Sequence, residues 1–221
     1  GQYNMAACLE WTLNRGRSRK TGQQFGLATK DPAEVTSFEE LQETLLDQAR
    51  HVIKIAHETT LIQQTVHREI VPRPFFSAMV DGCMESGKDL TRGGARYNAG
   101  PGWVIVGCAD TANGLAAIKK VVFDDKKATM AELCEALDNN FEGREDLRQL
   151  LMNAPKYGND DDYVDELQVA LSDFSDKEFR KCKDILSLPF HSAIMGLTFN
   201  IPTGNSLGAL PCGRKAGVPL A

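Results

Sequence analysis

Three features of the sequence predict a helix-rich α/β fold. A glycine-dominated passage, Gly93-Gly94-Ala95-Arg96-Tyr97-Asn98, is followed by Gly100-Pro101-Gly102, which turns the chain into the apolar run Trp103-Val104-Ile105-Val106. Behind that run, Cys108 to Asn113 leads into an amphipathic helix at Leu115 to Lys120. Long helical patterns separate the strand-like runs, and connections of that length favour parallel strands.

The elements follow in order. Met5, Leu9 and Leu13 recur at helical spacing, so Asn4 to Leu13 reads as a helix ended by Asn14-Arg15-Gly16. Arg17 to Lys30 is polar and basic, a surface loop. Ser37 with Glu40 three residues on is a capping-box pattern. The stripe Leu41, Leu45, Ala49, Ile53, Ala56 and Leu61 then carries a helix to Ile70, before Pro72 and Pro74. Phe75 to Glu85 reads as a short helix closed by Ser86-Gly87. Asp124 to Lys127 is a charged turn, and Thr129 with Glu132 opens a helix to Asn140. Glu145 to Asn153 and Asp176 to Leu186 are further helices. His191 to Phe199 has strand character, and Asn200 to Gly204 turns it into a loop.

Composition excludes several classes. The chain has 221 residues, is 42% hydrophobic and carries a formal charge of -5, which argues against a nucleic-acid footprint. No apolar run reaches the roughly 20 residues of a membrane helix, and no signal-peptide pattern is present. The six cysteines (Cys8, Cys83, Cys108, Cys134, Cys182, Cys212) have no paired spacing, and the four histidines lack metal-ligand spacing. We expect reduced thiols, a cytoplasmic protein and no bound metal. The chain begins at Gly1 and stops at Ala221 just behind a motif. It therefore reads as one partial catalytic domain, residues 1–221, truncated at both ends.

Five motifs occur in one order: Gly93 to Asn98, Leu115 to Phe123, Asn140 to Gly143, Ala154 to Asp161, and Gly213 to Ala221. Together they resemble the glycyl radical enzymes of the pyruvate formate-lyase type. The branch they resemble holds the diol and glycerol dehydratases, choline trimethylamine-lyase, arylacetate decarboxylases, and benzylsuccinate and alkylsuccinate synthases. The resemblance implies part of a ten-stranded α/β barrel. It also implies anaerobic radical chemistry at a carbon–carbon or carbon–heteroatom bond. A glycyl radical would be installed by a separate 4Fe-4S S-adenosylmethionine activase and passed to a cysteine thiyl. It further implies a small-molecule substrate and a homodimer or higher oligomer.

The same resemblance places the thiyl cysteine upstream of Gly1 and the radical glycine beyond Ala221, so no catalytic residue and no bound cofactor are assigned here. Gly82-Cys83-Met84-Glu85 imitates the cysteine motif but occupies the place of a similar segment ahead of Gly93, and a buried structural thiol is the reading adopted. Gln2, Tyr3, Asn200, Ile201 and Thr203 are the expected cavity lining, at the start of the chain and at the end of the segment Leu197 to Thr203. A plain strand-to-loop turn is the alternative for Asn200 to Gly204. Asp160, Asp161 and Asp162 with Asp165 suit a helix N-terminus better than a cation. Arg96 and Arg214 suit ion pairs better than a substrate carboxylate. Gly100-Pro101-Gly102 and Asp81 to Gly87 are similar to choline-lyase-like sequences, the apolar Ile201 and Trp103 to Val106 fit fumarate-adding synthases equally, and the scarcity of polar candidate groups tips the reading to a fumarate-adding synthase. A choline-lyase, diol or glycerol dehydratase, formate-acetyltransferase-like enzyme, or a radical-free structural relative stand as alternatives.

Overall fold

A computed structural model describes residues 1–195 and 198–221. Its sheet has three parallel strands in the order β1 (Gln2–Asn4), β2 (Gly102–Val106), β3 (His191–Ile194). Helices α1 (Met5–Thr12), α2 (Phe38–Ile70), α3 (Pro74–Ser77) and α4 (Cys83–Ser86) lie between β1 and β2. Helices α5 (Cys108–Ile118), α6 (Met130–Asp138), α7 (Glu145–Met152) and α8 (Asp162–Lys181) lie between β2 and β3, and α9 (Asn200–Asn205) follows β3.

Strand alternation fixes which side of the sheet is covered. Tyr3 and Trp103 project to one side and meet Phe179 of α8, with ring centroids 5.9 and 6.0 Å away. The Tyr3 hydroxyl also lies 3.0 Å from Ser175 Oγ. Ile105 is on that face and is fully buried. Behind it, Leu9 of α1, Leu41 and Leu45 of α2, Leu115 of α5 and Leu133 of α6 join one continuous core. Gln2, Val104 and Ala193, aligned by register across the three strands, project from the opposite side, where Gln2 and Ala193 are exposed and Val104 is half-buried.

The longest helix forms where the stripe predicted it, Phe38 to Ile70. Ser37 accepts from the Glu40 amide, but the Glu40 carboxylate takes the Thr36 amide, so only half of the capping box forms. At Thr129 and Glu132 both halves are present. The single helix expected over Phe75 to Glu85 is instead two one-turn helices. Gly82 lies between them in a left-handed conformation, φ +91°, which interrupts the helical path.

The helix expected from Leu115 begins seven residues earlier, at Cys108, because Gly107 adopts φ +73° and caps it. A Cβ at Gly107 would sit 2.8 Å from Ala6 Cβ and from Asn4 Oδ1, so strands β1 and β2 can enter their helices side by side only with glycine here. The Asp176–Leu186 expectation corrects to α8, Asp162–Lys181. Its buried stripe is Val164, Gln168, Leu171, Ser175 and Phe179, and the two polar members hide the period from a hydrophobic pattern. Strand β3 ends at Ile194 rather than near Phe199, and Gly196 and Leu197 of the expected strand lie outside the described residues. Asn200 to Gly204 is helical, not a strand-to-loop turn, with Pro202 in the first turn of α9, where no amide donor is needed.

The Gly93-Gly94 pair has a steric cause. Gly93 caps a 3₁₀ turn at φ +76°, and a Cβ on Gly94 would lie 2.0 Å from the Lys88 carbonyl oxygen. Gly94→Ala is expected to cost about 1–3 kcal/mol by forced displacement of backbone. Gly102→Ala, where nothing lies within 4 Å, should be near neutral, and paired urea unfolding curves compare the two.

Asp89 ties this loop together. Its carboxylate accepts from the Arg73 and Thr91 amides and from the Ser77 and Thr91 hydroxyls. Those bonds, the one from the Thr91 hydroxyl foremost, hold its pKa down at about 2, below the ordinary 3.8. A carboxyl lowered in the folded state stabilises above its unfolded pKa and loses that contribution as pH falls. The expected result is a loop that is protected near pH 5 and opens progressively between about pH 4 and pH 2, followed by amide exchange over residues 73–94. Asp89→Asn should flatten that dependence.

Candidate functional site

The carboxyl ends of parallel strands are where α/β sheets present loops and helix N-termini to a ligand. In this chain that edge holds Asn4, Gly107 and Met195. Asn4 Oδ1 accepts from the Ala6 and Ala7 amides and so caps α1 at the point where β1 stops. A groove of about 630 Å³ opens beside this edge, between Ile105 and Cys108 of the β2–α5 junction, Gln168 of α8, Ile194 and Met195 behind β3, and Asn200.

The groove is apolar on its sheet side and oxygen-rich on its α8 side. Gln168 is 6% exposed, and its Oε1 has no protein hydrogen-bond partner; Asp165 Oδ1 is likewise buried and unpartnered. Buried oxygens without donors are costly, and these two lie in residues that line the groove. Chemically, such a wall accepts hydrogen bonds from O–H or N–H groups. Of the two, the sequence singles out Asp165 only as part of an acidic helix N-terminus, and it gives no signal for Gln168, whose helical stretch is hidden by its polar buried positions.

One rim is built by the segment 200–221. Arg214 is buried and donates to the carbonyls of Gly204, Gly208 and Val218. Burial depresses its pKa, and the nearby Asp110 carboxylate opposes that. Asp110, near the start of α5, accepts from the Ala221 amide at 2.7 Å and from Cys212 Sγ at 3.7 Å. Burial pushes the Asp110 carboxyl up, against the pull of those donors and Arg214. Asn200 completes the rim, donating to the Ala221 carbonyl at 2.9 Å.

The residues expected to line a cavity are not brought to one place. Gln2 is exposed on the opposite face of the sheet, whereas Tyr3, one residue on, is buried in the core against α8. The sequence reading paired them because it did not see β1, and neighbours on a strand face opposite ways. Asn200 lines the groove. Ile201 is about half exposed on α9, and Thr203 Oγ1 donates back to the Phe199 carbonyl at 2.6 Å.

The remaining candidates are structural. Arg96 pairs with Asp81 at 3.1 Å on the surface. Asp161 caps α8 through the Tyr163 amide, and among the described residues no three His, Cys, Asp or Glu side chains converge as a metal site. Cys83 is buried with its thiol pushed up by burial and by Asp89 and Glu85. Burial likewise pushes Cys8, Cys108 and Cys212 up to about 12. All six thiols are free. No helix among the described residues is long and apolar enough to cross a membrane.

Three parallel strands covered by helices on the Tyr3, Trp103 and Ile105 side, with a groove at their carboxyl edge, form a helix-rich α/β unit. The chain matches the family model described as pyruvate formate lyase-like over residues 1–204. It is 38% identical to trans-4-hydroxy-L-proline dehydratase of Clostridioides difficile over 223 residues, covering 100% of this chain and 28% of that protein. It is 36% identical to isethionate sulfite-lyase of Oleidesulfovibrio alaskensis, covering 100% of this chain and 27% of that one. The glycerol-bound B12-independent glycerol dehydratase of Clostridium butyricum superposes with a TM-score of 0.94 at 36% identity, covering 100% of this chain and 28% of that structure. The chain belongs to the pyruvate formate lyase-like family of glycyl radical enzymes. It spans little more than a quarter of the length of the relatives it matches. Those relatives are dehydratases and a lyase by name, so the expected lean toward fumarate-adding synthases finds no support among them, and the dehydratase alternative fits better.

Proposed function

We propose that residues 1–221 form part of the catalytic domain of a glycyl radical dehydratase or related carbon–heteroatom lyase acting on a small polar substrate. The observation that carries this reading is whole-chain similarity to a hydroxyproline dehydratase, an isethionate sulfite-lyase and a glycerol dehydratase. Oxygen acceptors at Asp165 and Gln168 are compatible with a hydroxylated ligand and supply polar groups that a hydrocarbon substrate would leave unpaired.

A glycyl radical and the cysteine thiyl it generates supply the hydrogen abstraction, and neither is assigned within these residues. The contribution of this chain is wall and position. Gln2, Val104 and Ala193 form a row on the opposite face of the sheet from α8. Asn200, Ile201 and Thr203 sit behind β3, and Asn200 is tied to the 221 end of the segment. A close wall of this kind shields a reactive centre from water. The reading includes a radical S-adenosylmethionine activase as partner, an oligomeric full-length enzyme and a cytoplasmic setting.

The test is anaerobic activation of the intact protein with such an activase, followed by electron paramagnetic resonance and product analysis. Glycerol, trans-4-hydroxy-L-proline and isethionate are offered in parallel with toluene plus fumarate. The expected result is a glycyl doublet and elimination from one of the first three, with Gln2→Ala and Asn200→Ala raising KM. A protein that gains no radical, or that joins toluene to fumarate, overturns the reading.

A further inference from the structure

We propose that the cleft between the second half of α2, the Gly93–Asn98 loop and the Asp184–Leu186 turn is a carboxylate-binding site. The cleft encloses about 340 Å³, and its wall includes His67, Arg73 and Tyr97, with Val80, Leu90 and Leu186 as apolar floor. The loop whose glycines are explained by close backbone approach therefore also forms one side of a cleft, which the proposed reaction does not use.

The case rests on which charges are already committed. Among the described residues, eleven of the twelve arginines engage an acidic side chain or a carbonyl: Arg92, for example, reaches Glu69 and the Arg68 carbonyl. Arg73 is the exception: its backbone amide donates to Asp89 and its carbonyl accepts from the Ser77 amide, while its guanidinium has no partner among the described residues. The acids nearby offer it nothing. Asp89 is occupied by four donors. Asp184 is occupied by Gln64 and the Leu186 and Leu188 amides. Glu69 is paired with Arg68 at 2.8 Å, and Asp81 with Arg96.

A guanidinium presents a planar fork that matches a carboxylate. His67 and the Tyr97 hydroxyl supply further donors, and the apolar floor suits a short carbon chain behind the charge. The carboxylate has two sources, a free aliphatic acid or an acidic residue of a polypeptide, and the same chemistry serves both.

The test titrates isotope-labelled intact protein with hexanoate, with hexanamide as the uncharged match, and with a short peptide bearing one glutamate in an otherwise neutral sequence. Expected is saturable movement of the resonances of residues 67, 73 and 91–98 with hexanoate or with the peptide. Binding should weaken at least tenfold in Arg73→Gln and recover in part in Arg73→Lys. Hexanoate alone points to a small-molecule acid, and a tighter, competing peptide points to a polypeptide carboxylate. Arg73 is exposed, so circular dichroism should find the variants folded. Hexanamide binding as well as hexanoate, equal binding by Arg73→Gln, or no binding of either acid overturns the proposal.

Discussion

Replacing Glu10 by alanine should lower the free energy of unfolding by about 4 kcal/mol, a large share of a domain's net stability. Glu10 is fully buried in α1, and its carboxylate accepts from the Arg19 amide at 2.7 Å and from the Gly208 amide at 2.8 Å. Alanine removes both acceptors at once and leaves the buried Gly208 N–H and the half-buried Arg19 N–H unpaired, in addition to the cavity. Glu10→Gln keeps one acceptor and should cost about half as much. Urea unfolding followed by circular dichroism reads both. A loss below about 1 kcal/mol for Glu10→Ala would mean that water takes over the orphaned amides.

Replacing Arg214 by leucine should cost about 3 kcal/mol or more, with the damage confined to one segment. The guanidinium gathers three carbonyls from Gly204 to Val218, and no leucine atom can donate to them. Released from it, residues 200–221 should lose the small apolar cluster of Leu207, Leu210 and Leu220 with Ala6 and Ala7. Hydrogen exchange should rise over 200–221 while α2 and α8 stay protected. Arg214→Lys should not rescue, because a single ammonium cannot span three separated acceptors. Glu10 and Arg214 both hold Gly208, one by its amide and the other by its carbonyl, so the double variant should lose less than the sum. Strict additivity would show that they act on separate units.

The elements that were readable from sequence are those whose signal is local. The Leu41–Leu61 stripe and Ser37 located α2, Thr129 with Glu132 located α6, and Gly100-Pro101-Gly102 before a β-branched run located β2. Each signal is a periodicity, a cap or a turn, and each acts within a few residues. The ordered motifs likewise carried the family, because they record spacing along the chain.

Tertiary structure alone decided the rest. β1 is a three-residue strand, too short to have a period, and exists because Gln2 to Asn4 pairs with Val104 to Val106, a hundred residues away. That pairing sends Gln2 to the opposite face and Tyr3 into the core. The buried stripe of α8 includes Gln168 and Ser175, and Ser175 was made suitable for the core by the Tyr3 hydroxyl, not by its own hydropathy. Arg214 carries the same lesson: its sequence neighbours say nothing about the carbonyls it collects. The sequence determined α1, α2, α6 and α7, the glycine-rich turn before β2 and the family. Long-range pairing decided which side chains face a ligand, because a residue's exposure depends on what the folded chain brings against it.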